Sequence, residues 1–171
     1  MSQKTKRITR TGILLALALA VQFLKMPQFI TGSAVNAILV IAAAAVGMVE
    51  GIIIGSITPI VAIMVGIIKP PMAPVIPFII AGNISLVVIF HMLQKKNQYA
   101  AVGGAAVVKF LVLYGAVKLV LVNMLPGPVF EKVAVAFGVT QFFTAVVGGI
   151  VALLIVPFLK NYLDRQQNAN M

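Results

Sequence analysis

From Ser33 to Ile68 the chain runs for 36 residues with a single charge, Glu50. As one α-helix that run would extend about 54 Å, at about 1.5 Å per residue. The hydrocarbon core of a bilayer is only about 30 Å thick, so the run must fold back. The segment Gly47-Met48-Val49-Glu50-Gly51 is the natural place. Glycine lowers the cost of a tight turn, and a carboxylate prefers the interface to the hydrocarbon.

Composition removes the soluble alternative. Apolar residues make up 61% of the 171 and charged residues 9%, with mean hydropathy +1.12. Soluble domains run nearer about 45–50% and about 25%. The expectation is one integral membrane domain over residues 1–171, all α-helical. Cysteine is absent, which excludes disulfides, thiolate metal sites and cysteine nucleophiles together.

Spans of about 17–25 apolar residues divide the chain into six helices. They fall at about 11–26, 33–48, 51–68, 75–93, 100–124 and 133–159. Pro27 stops the first, which resembles a signal peptide at its start but leads into more membrane rather than a polar mature region. Pro70, Pro71, Pro74 and Pro77 fill a loop and the first turn of the fourth. His91 to Gln98 is the most polar internal stretch and reads as a loop. Pro126 and Pro128 end the fifth, Pro157 loosens the last turn of the sixth, and the polar tail Lys160–Met171 reads as frayed.

An even number of spans puts both termini on one side, and the cations say which. Lys4, Lys6, Arg7, Arg10, Lys95, Lys96, Lys160 and Arg165 share one face; Lys25, Lys69 and Lys132 hold the other. Cytoplasmic loops collect Lys and Arg, so both termini are expected in the cytoplasm. The same rule accounts for the net charge of +10 as topology, with no nucleic acid as partner.

Lys109 and Lys118 remain, both inside the fifth helix. A lysine near the bilayer centre costs about 2.5–3.5 kcal/mol on insertion scales. The two are nine positions apart, half a turn out of phase at about 100° per residue, so at most one faces a central pocket. Snorkelling to the interface is the structural alternative for each. Tyr114 lies one turn before Lys118 on nearly the same face. Asn83 on the fourth helix, with Thr140, Gln141 and Thr144 on the sixth, are further polar residues at membrane depth, suited either to a pocket or to interhelical hydrogen bonds. Asn36, Gln28 and Thr31 border the first outer loop, and His91 reads as interfacial.

No carboxylate pair shares a membrane depth, no serine stands near a His and an acid, and no phosphate-binding P-loop occurs. One His and three scattered acids cannot assemble a metal site. Neither a metal nor another cofactor is expected. No acidic residue of the kind that carries protons or sodium lies inside a span, so uphill transport would draw its energy from elsewhere. Small residues complete the pattern: Gly12, Ala16 and Ala20 share a face of the first helix, and such faces let helices approach closely in lipid.

These pieces resemble the substrate-binding subunit (S component) of energy-coupling factor transporters, over about residues 8–160. The likeness rests on six helices with Ala16-x-x-x-Ala20 on the first and on Thr31-Gly-Ser-Ala-Val-Asn36. It extends to Gly51, Gly55 and Thr58-Pro59, to Pro74-x-x-Pro77-Phe78 with Gly82-Asn83, and to Lys109-Phe-Leu-Val-Leu-Tyr114. The resemblance implies a non-enzymatic subunit of a prokaryotic plasma membrane that binds a vitamin or similar molecule. Its partners would be a transmembrane coupling subunit and two ATPases. It implies that Ala16 and Ala20 contact the coupling subunit and that the substrate sits toward the outer side among helices four to six. Absence of tryptophan disfavours thiamine, for which the family uses that residue. The expected pocket residues are Asn36, Asn83, Lys109, Tyr114, Lys118 and Gln141. A buried ammonium without an acid nearby either sheds its proton or meets an anionic group of the solute. A self-contained carrier or channel, working without ATPases, is the alternative reading.

Overall fold

A computed structural model describes residues 2–168, and every regular element among them is helical. Helix α1 spans Gln3–Phe23, α2 Gln28–Ala45, α3 Met48–Met64 and α4 Ile76–Leu93, the last entered through a 3-10 turn at Pro70–Val75. Helix α5 covers Gln98–Ala116 and continues through a π-helical turn, Val117–Leu121, into the short α6, Val122–Met124. Helices α7, Gly127–Phe137, and α8, Val139–Asn168, complete the chain. Four segments are long and apolar enough to cross a membrane: Gln28–Ala45, Pro70–Leu93, Gln98–Met124 and Gly127–Tyr162. Met48–Met64 is a shorter apolar helix.

The turn in the long apolar run lies at Val46–Gly47, between α2 and α3; it meets the expected segment only at Gly47, because residues 48–51 already form the first turn of α3. Other boundaries shift for local reasons. Helix α1 begins eight residues before its apolar stretch, because the Ser2 side chain accepts from the Thr5 N–H and caps the first turn. Helix α2 begins five residues early at Pro27, whose carbonyl accepts from Ile30 and Thr31; a proline at a helix start loses nothing by lacking an N–H. His91 belongs to the last turn of α4, so the polar loop there shrinks to residues 94–97. Asn97 then caps α5 through the N–H groups of Tyr99 and Ala100. The sixth expected helix is two, broken at Gly138. The tail is not frayed where described, since α8 continues to Asn168; residues 169–171 lie outside the described residues.

Helix α2 is the hub. Val35 to Ala43 are all buried, as expected of a helix apolar on every side, and it packs on α1, α3, α4 and α8. The approach to α8 depends on Gly148. A Cβ there would collide with the Ser33 carbonyl oxygen and lie 2.8 Å from the Ala37 nitrogen, so any larger residue forces the two helices apart. A second apolar cluster, Val75, Val117, Leu121, Leu125, Val133 and Phe137, joins the 3-10 turn, the π turn and α7. Large apolar side chains such as Leu17, Leu111, Leu154 and Phe158 point outward, on a scale that soluble monomers avoid and lipid accepts.

One end of the bundle is tied by polar contacts. Arg7 on α1 pairs with Glu50 at 2.6 Å, and His91 Nδ1 lies 3.0 Å from the Ala43 carbonyl oxygen. The start of α1, the α2–α3 turn and the end of α4 therefore share that end. The α1–α2 and α3–α4 connections lie at the other.

Candidate functional site

Lys109 on α5 is 3% exposed. Its Nζ donates to Asn36 Oδ1 at 2.6 Å and to Asn83 Oδ1 at 2.8 Å, so α2, α4 and α5 meet at one amine. Each amide turns its oxygen to the lysine because its nitrogen is already engaged. Asn36 Nδ2 donates to Thr144 Oγ1 at 3.3 Å, and that hydroxyl donates to the Gln141 carbonyl at 3.1 Å. Asn83 Nδ2 donates to the Gly55 carbonyl at 2.9 Å. That carbonyl is available for a reason written in the sequence. Pro59, four residues on, has no N–H with which to close the helical bond. Gly55 also lets α4 come close, since a Cβ there would stand 3.0 Å from Asn83 Cβ.

Beside this network lies a cavity of about 90 Å³, several times the ~10–15 Å³ that one water requires. Gln22 of α1 lines it, with Gln28, Thr31 and Asn36 of α2 and Thr58 and Pro59 of α3. Asn83, Lys109, Phe137 and Gln141 complete the wall from α4, α5, α7 and α8. This cavity is not confined to the last three spans; the first three helices wall it too. Among the described residues, no Asp or Glu lines it. An ammonium has three N–H donors, and the amides engage two.

The structure brings Asn36, Asn83, Lys109 and Gln141 together. Asn36 does not border a loop; it is 1% exposed, well inside α2. Gln141 Nε2 donates to the Ala136 carbonyl and Thr140 Oγ1 to that of Val135. These bonds satisfy carbonyls that the α7–α8 break at Gly138 leaves open. Tyr114 and Lys118 do not line the cavity. Both are exposed on the outside of the bundle, where Lys118 Nζ stands 5.8 Å from the Tyr114 ring centroid and that ring stacks on Phe110. The half-turn offset between the lysines holds, and Lys109 is the inward one. Ala16 and Ala20 are exposed as well, and a Cβ on Gly12 would meet nothing within 4 Å. Among the described residues, this face of α1 is not used by the chain's own packing.

A model of the family described as ECF transporter, substrate-specific component, matches residues 6–160. The chain belongs to this family. Neither a curated protein nor a solved structure matches it. As a substrate-specific component it is a helical, membrane-embedded transport subunit and not a catalytic one.

Four polar lining residues of this substrate-specific component were not among the expected pocket residues: Gln28 and Thr31, read as bordering the first outer loop, and Gln22 and Thr58. Gln22 had a usable signal, being the only polar side chain between Gly12 and Phe23. Thr58 had less, because a threonine inside a helix commonly bonds its own backbone. Here its hydroxyl makes no hydrogen bond among the described residues.

Proposed function

We propose that the chain is the binding subunit for uptake of a vitamin or vitamin-like small molecule. It works with a transmembrane coupling subunit and two ATP-hydrolysing subunits in a prokaryotic plasma membrane. The observation that carries this reading is the Lys109 amine, buried beside a cavity with no acid in its wall. Two neutral amide oxygens solvate the amine without neutralising it. The missing counter-charge is an anionic or strongly polar group on the solute. Charge-assisted hydrogen bonds of this kind are roughly twice as strong as neutral ones, and the apolar remainder of the wall follows the usual pattern of small-molecule sites. A cavity of about 90 Å³ lies below the roughly 300–1,000 Å³ usual for drug-sized ligands, which favours a small solute.

In the membrane the proposal uses six spans. Helices α1 and α3 join the four long segments, and α7 with α8 forms one broken span. The positive-inside count then places both termini in the cytoplasm and the cavity toward the outer face. The shared end formed by Arg7–Glu50 and His91–Ala43 supports this arrangement, because it groups the elements that the count makes cytoplasmic. Single-cysteine labelling checks it in a chain that has no other thiol. A cysteine replacing Lys132 is expected to react with an impermeant reagent from outside, and one replacing Lys95 only from the cytoplasm. The reverse pattern overturns the topology.

Uptake tests the function itself. Co-expression with the coupling subunit and intact ATPases is expected to give solute accumulation, and ATPase variants unable to hydrolyse ATP are expected to abolish it. Accumulation by the chain alone would make it a self-contained carrier instead.

A further inference from the structure

Lys109 accounts for one polar group of the cavity wall; two unpartnered groups supply others. Gln22 is 7% exposed and its Oε1 has no hydrogen-bond partner among the described residues. Thr58 is 1% exposed and its Oγ1 likewise has none. Both residues line the cavity. They come from α1 and α3, whereas Lys109 comes from α5. Helix α1 packs on α2 and α3, and α5 packs on α4 and α8, so these groups reach the cavity from different helices.

Buried polar atoms left without a partner are uncommon in folded proteins. Two of them lining one cavity mark a place where a ligand supplies the missing bonds. An amide oxygen can only accept, and a threonine hydroxyl can accept or donate. The wall therefore offers donors at Lys109 and an acceptor at Gln22, and a matching solute carries the opposite groups at its two ends.

We propose that the cavity selects small organic anions that also carry an N–H or O–H donor, with Lys109 binding the anionic end and Gln22 and Thr58 reading the donor end. This rests on the reading of the cavity as the solute site, and it narrows the solute class. Simple carboxylates without a donor, and cations of any kind, are poor ligands. Gln22 is then a specificity-determining residue. Its place on α1 has a second consequence, because Ala20 on the same helix lies two positions away, about 200° round the axis. One helix thus touches the solute on one face and presents the bare alanine face on the other.

The test uses an equimolar mixture of water-soluble vitamins and related organic acids. Each acid is accompanied by its methyl ester, which removes the anion, and by its O- or N-methyl derivative, which removes the donor. Binding to the purified full chain is read by native mass spectrometry and then by titration of the retained compound. The wild type is expected to retain a free acid bearing a donor and to bind its ester at least about tenfold more weakly. The donor-blocked derivative is expected to bind about fivefold more weakly than the parent acid. Gln22→Leu is expected to weaken the parent acid by about the same factor and leave the donor-blocked derivative unchanged. Thr58→Val, which keeps the side-chain shape, provides a second variant with the same expected pattern. Equal binding of parent and donor-blocked compound by the wild type overturns the proposal without recourse to any variant. So does undiminished binding by both variants, or retention of no member of the mixture. ATP-dependent uptake would survive each of those results, so a failure here is distinct from a failure of the proposed function.

Discussion

Replacing Lys109 with methionine is expected to weaken solute binding at least about tenfold. The substitution keeps the length and removes the donor. A charge-assisted hydrogen bond is worth about 1.5–3 kcal/mol, which the affinity relation converts to a factor of roughly ten or more. It also strands the amide oxygens of Asn36 and Asn83, which now accept from Nζ at 2.6 and 2.8 Å. Each buried acceptor left unpaired costs about 1–3 kcal/mol, so the melting temperature is expected to fall as well. Titration calorimetry on the folded, monodisperse variant separates the two effects. Lys118→Met is the internal control. Its side chain is exposed beside Tyr114, outside the cavity wall, and its affinity is expected to match the wild type. Unchanged affinity in the Lys109 variant would make that lysine a packing element and move the site elsewhere.

Replacing Ala16 and Ala20 together with leucine is expected to abolish uptake, by at least about tenfold, while solute binding to the isolated subunit persists. Small faces allow helices to approach closely in lipid, where packing rather than hydrophobic transfer drives association. Both alanines are exposed, and among the described residues nothing lies within 4 Å of a Cβ placed on Gly12 one turn earlier. The two leucines would therefore project from the bundle and hold a partner helix away. They would not reach the cavity, which α1 meets through Gln22 on its other side. Parallel uptake and binding assays decide this. Loss of both together would mean that the pair supports the chain's own packing.

Legibility in the sequence followed the physics of each feature. The fold-back at Gly47 was readable because it is a length argument, and bilayer thickness leaves no alternative. Lys109 and Lys118 separated correctly because helical phase is nearly rigid over nine residues, even though a π turn begins at Val117. Helix starts were less visible. Apolar windows locate lipid, whereas Ser2 and Pro27 start helices by hydrogen bonding in polar surroundings. The break at Gly138 was hidden because apolar residues continue across it on both sides. Asn36 was read as a loop neighbour since α2 starts at Gln28, five residues before its expected beginning. The grouping of Asn36, Asn83 and Lys109 in one pocket was legible, but the bonds that lock them together were not. They depend on Pro59 freeing the Gly55 carbonyl for Asn83, a relation between residues 28 apart. The orphaned acceptors at Gln22 and Thr58 emerge only once the cavity has walls.

The most direct measurement of the central claim is native mass spectrometry of the purified chain, wild type beside Lys109→Met. The wild type is expected to carry one small anionic molecule per chain, released only on activation, and the variant to fly without it. Retention of the same molecule by both proteins, or of a cation by the wild type, would contradict the account.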